Sequence, residues 1–259
     1  MSRRDCALDL WVRPDEQCVA LAAGFRLFQR YRGHRYSVDD MLVGHLAGTR
    51  AERPARALDL GCGLGSVLLM LAWRFPGAEF VGIEAQPEHV ALARRNVLLN
   101  GCGSRVRIVA GDMREARRAI EGGDFDLVTG TPPYFDPRAA TVCSDPQRAH
   151  AQWELRGGIE TYATAASWAL GEQGTFVTCA SADNDRTFRA LEAAGLRPCW
   201  QRDVLPRPGK RPFLALWVAG KRLATLVRAE PLLLREADGA RTPEHIAIRQ
   251  WFGLPCSIR

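Results

Sequence analysis

From about residue 55 onward, the sequence alternates between short apolar segments typical of β-strands and longer segments typical of helices. Several of the apolar segments end in glycine or in an acidic residue, as expected where a strand passes into a loop. Strands that alternate with helices run mostly parallel, because each helix returns the chain to the end of the sheet where the next strand starts. The alternation therefore predicts an α/β fold with a seven-stranded, mostly parallel sheet and helices on both faces.

The boundaries of these elements follow from local signals such as Pro87 at a helix start and Asn100-Gly101 at its end. We expect strands at 55–61, 78–85, 104–112, 124–130, 175–180, 197–207 and 211–220, and helices at 66–75, 87–101, 159–170 and 183–195.

The two ends of the chain have a different pattern. Residues 25–38 contain strand-like residues around Arg32-Gly33, so we expect a hairpin there, followed by a short helix at 39–48. Residues 230–253 are expected to form a strand, a turn and a small helix. The predicted organisation is an N-terminal extension of residues 1–50, a hairpin and a helix packed on a domain of residues 51–259.

The composition indicates the cell compartment in which the protein is expected, and whether a membrane segment, disulfides or a metal site are expected. The longest apolar run without charge, residues 60–73, is shorter than the about 20 residues that span a bilayer, so we expect no membrane segment. Charged residues interrupt the N-terminus, which argues against an export signal and favours the cytoplasm. The 8 cysteines show no C-x-x-C spacing and the 5 histidines no metal-ligand spacing, so we expect reduced thiols and no metal.

A glycine-rich turn joins the first predicted strand of the domain to its helix. It reads Asp59-Leu60-Gly61-Cys62-Gly63-Leu64-Gly65, and glycines there let the backbone turn tightly and approach a ligand at a helix N-terminus. A dinucleotide fingerprint requires glycine where this sequence has Ser66. The acidic Asp59 instead suits S-adenosylmethionine, whose amino group and sulfonium are cationic.

Two further acidic residues end the next two strands. Glu84 closes the second strand and can accept hydrogen bonds from both hydroxyls of a ribose. Asp112 closes the third, where it either accepts from the amino group of the cofactor adenine or caps the following helix, and the sequence leaves both readings open.

In combination, LDLGCGLG, VGIEAQP and GD resemble the class I S-adenosylmethionine-dependent methyltransferases over about residues 55–220. The resemblance implies a Rossmann-like fold, S-adenosylmethionine as cofactor, and contacts to it from Asp59, Gly61, Gly63, Glu84 and Asp112. We add Gly65, the last glycine of the turn, to this expected cofactor site.

The fourth predicted strand runs directly into Thr131-Pro132-Pro133-Tyr134. This segment resembles the (N/D)-P-P-(Y/F) motif of amino-methyltransferases, which act on exocyclic amines of nucleobases or on amides. An aryl amine is a poor nucleophile because its lone pair is delocalised into the ring. The motif supplies one hydrogen-bond acceptor from its first side chain and one from a proline carbonyl, and its aromatic ring stacks on the base. The resemblance thus implies a catalytic role for all four residues.

The sequence departs from that motif at its first position. Thr131 stands in place of Asn or Asp, and its hydroxyl is shorter and is itself a donor. It can still accept one hydrogen bond, so we expect either slower chemistry, by about 1–3 kcal/mol, or a changed acceptor.

Outside these motifs the chain is similar to the bacterial tRNA(Val) adenine-N6 methyltransferase family over about residues 25–250. The similarity lies in RYSVDDMLVGHLA (35–47), in residues 148–154, in LPRPGKRPFLALWV (205–218) and in EPLLLREADGARTPEHI (230–246). It implies that the segment from Tyr36 to Asp40 covers the cofactor, with Asp39 near it.

The chain is basic, with a formal net charge of +6, which fits a nucleic-acid partner. Two groups of basic residues could follow a phosphate backbone, and an ordinary solvated surface remains the alternative. The first group is Arg26, Arg30, Arg32 and Arg35, and the second is Arg202, Arg207, Lys210 and Arg211.

These observations support three functions. The first is methylation of adenine N6 in tRNA, and the second is methylation of an amine or amide in a small molecule or protein. The third is a catalytically weak, RNA-binding homologue of a methyltransferase. Thr131 is the feature that keeps the second and third functions open.

Overall fold

The computed structural model describes residues 11–138, 141–222 and 224–255. The segment before residue 11, which supplied part of the argument against an export signal, lies outside the described residues. The strands are β1 (Glu16–Ala22), β2 (Phe25–Arg30), β3 (Arg56–Leu60), β4 (Glu79–Glu84), β5 (Val106–Ala110), β6 (Phe125–Gly130), β7 (Leu170–Ser181), β8 (Arg197–Leu205), β9 (Leu214–Gly220), β10 (Val227–Arg228) and β11 (Leu232–Leu233). The helices are α1 (Val38–Arg50), α2 (Ser66–Arg74), α3 (Pro87–Leu99), α4 (Ala116–Ala119), α5 (Pro146–Gln152), α6 (Ile159–Ala169), α7 (Asn184–Ala193) and α8 (Pro243–Trp251).

The central sheet follows the order β10-β8-β9-β7-β6-β3-β4-β5, and β11 also pairs with β8. Strands β5, β4, β3, β6 and β7 are mutually parallel, whereas β9 runs antiparallel to both of its neighbours. The predicted α/β class with a mostly parallel sheet is therefore confirmed, and so is its Rossmann-like character.

The sheet has nine strands in the described residues, rather than the seven predicted. The difference comes from β10 and β11, each of two residues, which pair in parallel with β8. A strand was predicted within residues 230–253, where β11 lies, but it was not counted among the seven strands of the sheet. Strand β10 has only two residues, too few for a detectable alternation of apolar and polar residues. The helix α5 was also not predicted, because it has only 7 residues and few apolar ones.

Helices cover both faces of the sheet and bury two apolar clusters. Helices α1, α2, α3 and α8 pack on one face with the β1–β2 hairpin, and α4, α6 and α7 pack on the other. Neighbouring residues of β3 alternate between the clusters, with Ala57 in the first and Leu58 in the second. Helix α2 is buried from Ser66 to Ala72, as expected for a helix that is apolar all round.

The predicted N-terminal hairpin and helix are present, but the position predicted for the hairpin, around Arg32-Gly33, is wrong. The hairpin lies earlier, because β1 and β2 pair antiparallel and the chain reverses at Ala23-Gly24, where Gly24 has φ 77°. Gly33 has another reason to be glycine: a Cβ atom there would clash with the Gln147 side chain. The segment between β2 and α1 is therefore a loop, not a strand.

Asn96 of α3 and Asn100, the C-terminal cap of that helix, connect the hairpin to the rest of the fold. The Asn96 side chain accepts from the N–H of Phe28 at 2.7 Å and donates to the carbonyl oxygens of Phe28 and Leu64. One turn later, the Asn100 side chain accepts from the N–H of Arg26 and donates to its carbonyl oxygen, both at 2.8 Å. Asn96 is fully buried and Asn100 is near the surface. Because Leu64 belongs to the glycine-rich turn, Asn96 also links the hairpin to that turn.

We predict that Asn96→Ala lowers the free energy of unfolding by about 2–4 kcal/mol, since it leaves buried backbone groups unpaired. Asn100→Ala is the matched control and should cost less than about 1 kcal/mol, because water replaces the lost bonds. Urea unfolding followed by circular dichroism measures both. Equal losses for the two variants would contradict the role given to Asn96.

Candidate active site

A cavity of about 970 Å³ opens at the edge of the sheet where the parallel strands end. The carboxyl ends of such strands are where ligands bind in doubly wound sheets. The structure brings most of the predicted site residues to this cavity: Asp39, Gly61, Gly63, Glu84, Asp112, Thr131, Pro132, Pro133 and Tyr134. Asp59 and Gly65 do not line it.

The glycine-rich turn presents bare backbone to the cavity. Gly61, Gly63 and Gly65 have φ values of 60°, 53° and 82°, which side chains rarely adopt. A Cβ atom at Gly63 would meet no protein atom and would fill the space that a ligand needs, whereas one at Gly61 would lie 2.5 Å from the Tyr162 hydroxyl oxygen. Gly65 precedes the first residue of α2 and acts as its N-terminal cap. The turn thus forms a cradle for a ligand at Gly61 and Gly63.

Glu84 lies at the tip of β4 with only 6% of its surface exposed. One carboxylate oxygen accepts from the N–H of Gly63 at 2.9 Å, and the other accepts from the N–H of Gln86 at 2.7 Å. Burial raises the pKa of Glu84, and these backbone hydrogen bonds oppose the rise. Each oxygen keeps a further lone pair, so the carboxylate can still accept from two hydroxyl groups in the cavity.

Asp59 has a different position from the one expected for a cofactor ligand. It is 3% exposed and accepts a hydrogen bond from the Thr129 hydroxyl at 2.8 Å, behind the turn rather than in the cavity. Burial raises the pKa of Asp59 to about 7; the bond from Thr129 opposes this rise and the charge of Glu84 adds to it. In this structure Asp59 supports the strand that carries the turn, and its expected contact with the cofactor stays a prediction.

Asp112 has one of the two roles that the sequence left open, the capping of a helix. Its side chain caps the short helical turn that begins at Met113, accepting from the N–H of Arg114 at 2.9 Å. It also pairs with the Arg114 guanidinium at 2.6 Å, and hydrogen bonding to Arg114 lowers the pKa of Asp112. The same residue lines the cavity. Capping is therefore observed, and a contact with adenine stays a prediction.

A further acidic residue was missed by the sequence reasoning. Asp40, in the first turn of α1, is 5% exposed and accepts from the Ser66 hydroxyl at 2.9 Å. Burial raises the pKa of Asp40 to about 8, with repulsion from Asp39 adding to the effect and the bond from Ser66 opposing it. The sequence signal was the pair Asp39-Asp40 at a helix start, which is also an ordinary helix-capping pattern.

The loop of residues 131–135, called the acceptor loop below, follows β6 and is fixed by backbone hydrogen bonds. The N–H groups of Tyr134 and Phe135 both donate to the carbonyl oxygen of Gln152, and the Phe135 carbonyl accepts from the N–H of Glu154. Within the described part of the chain, neither the Thr131 hydroxyl nor the Pro132 carbonyl has a hydrogen-bond partner. Two acceptors are thus available to a ligand.

The ring of Tyr134 is held from two sides. Its hydroxyl donates to a carboxylate oxygen of Asp39 at 2.9 Å and lies 2.9 Å from the sulfur of Cys179. Burial raises the pKa of Tyr134 well above its ordinary value, so the phenol stays protonated. Asp39 was expected near the cofactor; it lines the cavity, and its observed partners are Tyr134 and the Ser37 hydroxyl.

The basic groups predicted from the sequence divide into two kinds. Arg30 pairs with Glu88 at 2.9 Å, and Arg202 pairs with Glu244 at 2.6 Å, so these two side chains serve the fold. Arg32 and Arg35 are exposed and line the cavity. Arg207, Lys210 and Arg211 are exposed near the start of β9, and Arg148 and Arg156, which were not predicted, also line the cavity.

A membrane-spanning helix and a metal-binding cluster are both absent from the described residues. No helix there has the length and apolar character needed to cross a membrane. No group of three or more His, Cys, Asp and Glu side chains in that part of the chain is arranged to hold a metal ion.

Comparison with known proteins identifies the family of the chain. A family model described as a methyltransferase domain matches residues 57–147. A Porphyromonas gingivalis protein named tRNA1(Val) (adenine(37)-N6)-methyltransferase is 31% identical over 227 residues, covering 84% of this chain and 88% of that protein. A Yersinia pseudotuberculosis protein of the same name is 28% identical over 238 residues, covering 88% and 91%.

Among solved structures, a predicted O-methyltransferase from Agrobacterium tumefaciens has a TM-score of 0.61 at 22% identity, covering 82% of this chain and 96% of that one. A likeness at this identity supports the fold alone. The sequence relatives extend over most of the chain and confirm the resemblance derived from the motifs. The chain therefore belongs to the tRNA1(Val) (adenine(37)-N6)-methyltransferase family and is a methyltransferase that depends on S-adenosylmethionine.

Proposed function

We propose that this enzyme methylates N6 of an adenine in tRNA. The observation that carries the proposal is a pair of acceptors without a partner in the described residues, the Thr131 hydroxyl and the Pro132 carbonyl. They lie beside the half-buried ring of Tyr134. An exocyclic amine has two N–H groups and a flat ring, so it matches two acceptors and one aromatic surface. The relatives from Porphyromonas gingivalis and Yersinia pseudotuberculosis are named for this reaction in tRNA.

When bound, S-adenosylmethionine supplies an electrophilic methyl group. The part of this chain is to hold the amine so that its nitrogen lone pair is directed toward that methyl group. Thr131 and the Pro132 carbonyl accept from the two N–H groups, and Tyr134 keeps the base flat. Pro133 fixes the turn between them. The methylated nitrogen then loses one proton to water, so no general base is required.

We propose that the cofactor lies across the tips of β3, β4 and β5. Glu84 would accept from the ribose hydroxyls, and the bare backbone of Gly61 and Gly63 leaves room for the amino acid part. Asp112 would accept from the adenine amino group. Asp59 and Gly65 would act indirectly, by supporting the turn and the start of α2.

The charges around the cavity favour a nucleic acid over a small or protein amine. The acidic groups Asp40 and Glu84 are buried within it, whereas Arg32, Arg35 and Arg148 are exposed at its opening. A cationic cofactor suits the interior, and a phosphate backbone suits the exterior. The departure at Thr131 is the one feature that favours a different amine as the acceptor.

We also propose that residues 1–50 form an N-terminal extension that packs on a methyltransferase domain of residues 51–259 and covers one side of its active site. Supporting contacts are the Asp39–Tyr134 and Asn96–Phe28 hydrogen bonds. A tRNA substrate implies that the enzyme works in the cytoplasm.

The decisive experiment incubates purified enzyme with methyl-labelled cofactor and bulk tRNA and analyses the digested nucleosides. We expect labelled N6-methyladenosine. Label in another nucleoside, or transfer only to small amines or proteins, would refute the proposed acceptor. Cofactor binding without any transfer would point to the catalytically weak homologue.

Thr131→Asn is the informative variant in the same assay. Asparagine restores a longer acceptor without a hydroxyl donor, so we expect faster adenine methylation, by about 5- to 150-fold for a restored bond worth about 1–3 kcal/mol. Thr129→Val, which removes a hydroxyl outside the cavity, is the control and should not accelerate the reaction. A slower Thr131→Asn enzyme would mean that the site is adapted to threonine.

The cofactor assignment of Glu84 is tested by calorimetry with S-adenosylhomocysteine. We predict that Glu84→Ala weakens binding by about tenfold, or about 1.4 kcal/mol. Glu79 begins the same strand at the opposite edge and is exposed, so Glu79→Ala should bind as the wild type does. Unchanged affinity in Glu84→Ala would remove the ribose assignment.

The link between Asp39 and Tyr134 is tested by a double-mutant cycle. If Asp39 acts by fixing the Tyr134 ring, Asp39→Ala and Tyr134→Phe should each lower kcat by about tenfold, and the double variant should be no worse. Cofactor affinity should not change. If Asp39 instead contacts the cofactor, Asp39→Ala alone will weaken S-adenosylhomocysteine binding, and the two effects will add.

A further inference from the structure

Exposed aromatic side chains are concentrated at the opening of the cavity. Tyr31, Phe135 and Phe213 are 59%, 51% and 41% exposed, and all three line it. Trp11 is the other exposed aromatic residue in the described part of the chain, and it lies elsewhere. Exposed aromatic rings grouped at one opening are typical of a binding surface rather than of chance exposure.

We propose that Tyr31 and Phe213 are stacking platforms for the unpaired nucleotides on either side of the target adenosine. The inference rests on the proposed function and adds to it the two residues that hold the nucleotides beside the target. Bases within a duplex do not offer their faces to a side chain, so such platforms serve only unpaired nucleotides.

The topology places the two rings on opposite sides of the acceptor loop. Phe213 immediately precedes β9, which is antiparallel and therefore begins at the edge where the parallel strands end, with Leu214 beside Ser181. Tyr31 follows β2, and its hairpin packs on α3, the helix after β4. Strands β9 and β4 are each two strands from β6 in the sheet. At about 4.8 Å per strand, β9 and β4 lie about 19 Å apart, so residues anchored beside these two strands can each hold a different nucleotide.

A hydrogen bond fixes the backbone at each of the two residues. The N–H of Tyr31 donates to the carbonyl oxygen of Asp15 at 2.9 Å. The N–H of Phe213 donates to the carbonyl oxygen of Val204 at 3.1 Å. Their rings nevertheless remain largely in solvent. The ring of Phe135 differs because it contacts Trp153, with centroids 5.3 Å apart, so part of its surface already has a structural role.

Positive charge accompanies each ring. Arg32 and Arg35 are exposed next to Tyr31, and Arg207, Lys210 and Arg211 are exposed in the segment that leads to Phe213. None of these five forms an ion pair with an acidic side chain in residues 11–138, 141–222 and 224–255. Aromatic rings interleaved with free cations are the combination with which proteins bind single-stranded nucleic acid.

The test measures tRNA binding and methylation by Tyr31→Ala and Phe213→Ala, with Trp11→Ala as the matched control. We expect each platform variant to weaken tRNA binding, and to raise the KM for tRNA, by about 5- to 150-fold. The kcat at saturating tRNA and the affinity for S-adenosylhomocysteine should stay as in the wild type. Trp11→Ala should behave as the wild type in every assay.

The salt dependence of binding distinguishes stacking from charge interactions. Conservative variants distinguish stacking from general apolar contact. The slope of log affinity against log salt should be unchanged in the aromatic variants and smaller by about one in Arg35→Ala. Tyr31→Phe and Phe213→Trp should retain affinity, whereas Tyr31→Leu and Phe213→Leu should not.

Wild-type tRNA affinity in both alanine variants would overturn the inference, and so would full affinity in the leucine variants. A different result would show that the proposed function, rather than the stacking role, is wrong. In that case the wild type forms no N6-methyladenosine, while binding of a fluorescent single-stranded RNA, compared with an RNA duplex, still measures the platforms. Loss of single-strand binding in the alanine variants would then support stacking independently of methylation.

Discussion

The carboxyl groups of Asp40, Asp59 and Glu84 are buried in or directly behind the wall of one cavity, and the site is organised around their charge. Burial raises the pKa of each, and hydrogen bonds from Ser66, Thr129 and backbone N–H groups only partly offset it. In the described residues, no arginine or lysine forms an ion pair with them. A cationic ligand lowers these pKa values, so binding S-adenosylmethionine favours their ionised forms. This coupling favours a sulfonium over a neutral or anionic nucleotide.

The same region joins parts of the chain that are distant in sequence. Asp39 lies on α1 and Tyr134 follows β6, yet their side chains share a hydrogen bond across 95 positions. Asn96 connects the hairpin to the glycine-rich turn in a similar way. Residues 25–40 are therefore linked to both the glycine-rich turn and the acceptor loop, and residues 31–40 contribute several side chains to the lining of the cavity.

The sequence was sufficient for elements whose pattern is local. The long strands of the sheet, the glycine-rich turn and the acceptor loop were all predicted near their observed positions, because apolar runs and turn residues mark them directly. The hairpin was misplaced because Gly33 resembles a turn residue, while its real constraint is the approach of Gln147 more than a hundred residues away. The hydrogen bond between Thr129 and Asp59 could not be predicted either, since only the register of β3 against β6 brings these residues together. Contacts between distant segments have no periodic signal in one sequence.

The separation of charge in the cavity explains how one site can serve a cationic cofactor and a polyanionic substrate. A phosphate drawn into the interior would face the buried carboxylates, and two like charges 10 Å apart repel by about 1.7 kcal/mol at an effective dielectric constant of about 20. Exposed arginines at the opening, such as Arg35 and Arg148, attract the same phosphates and keep them outside. The nucleobase is the uncharged part of a nucleotide, so it is the part that can enter at little electrostatic cost. For the proposed tRNA substrate, the charges of the chain therefore favour entry of the base, rather than of the phosphates, toward Thr131 and Tyr134.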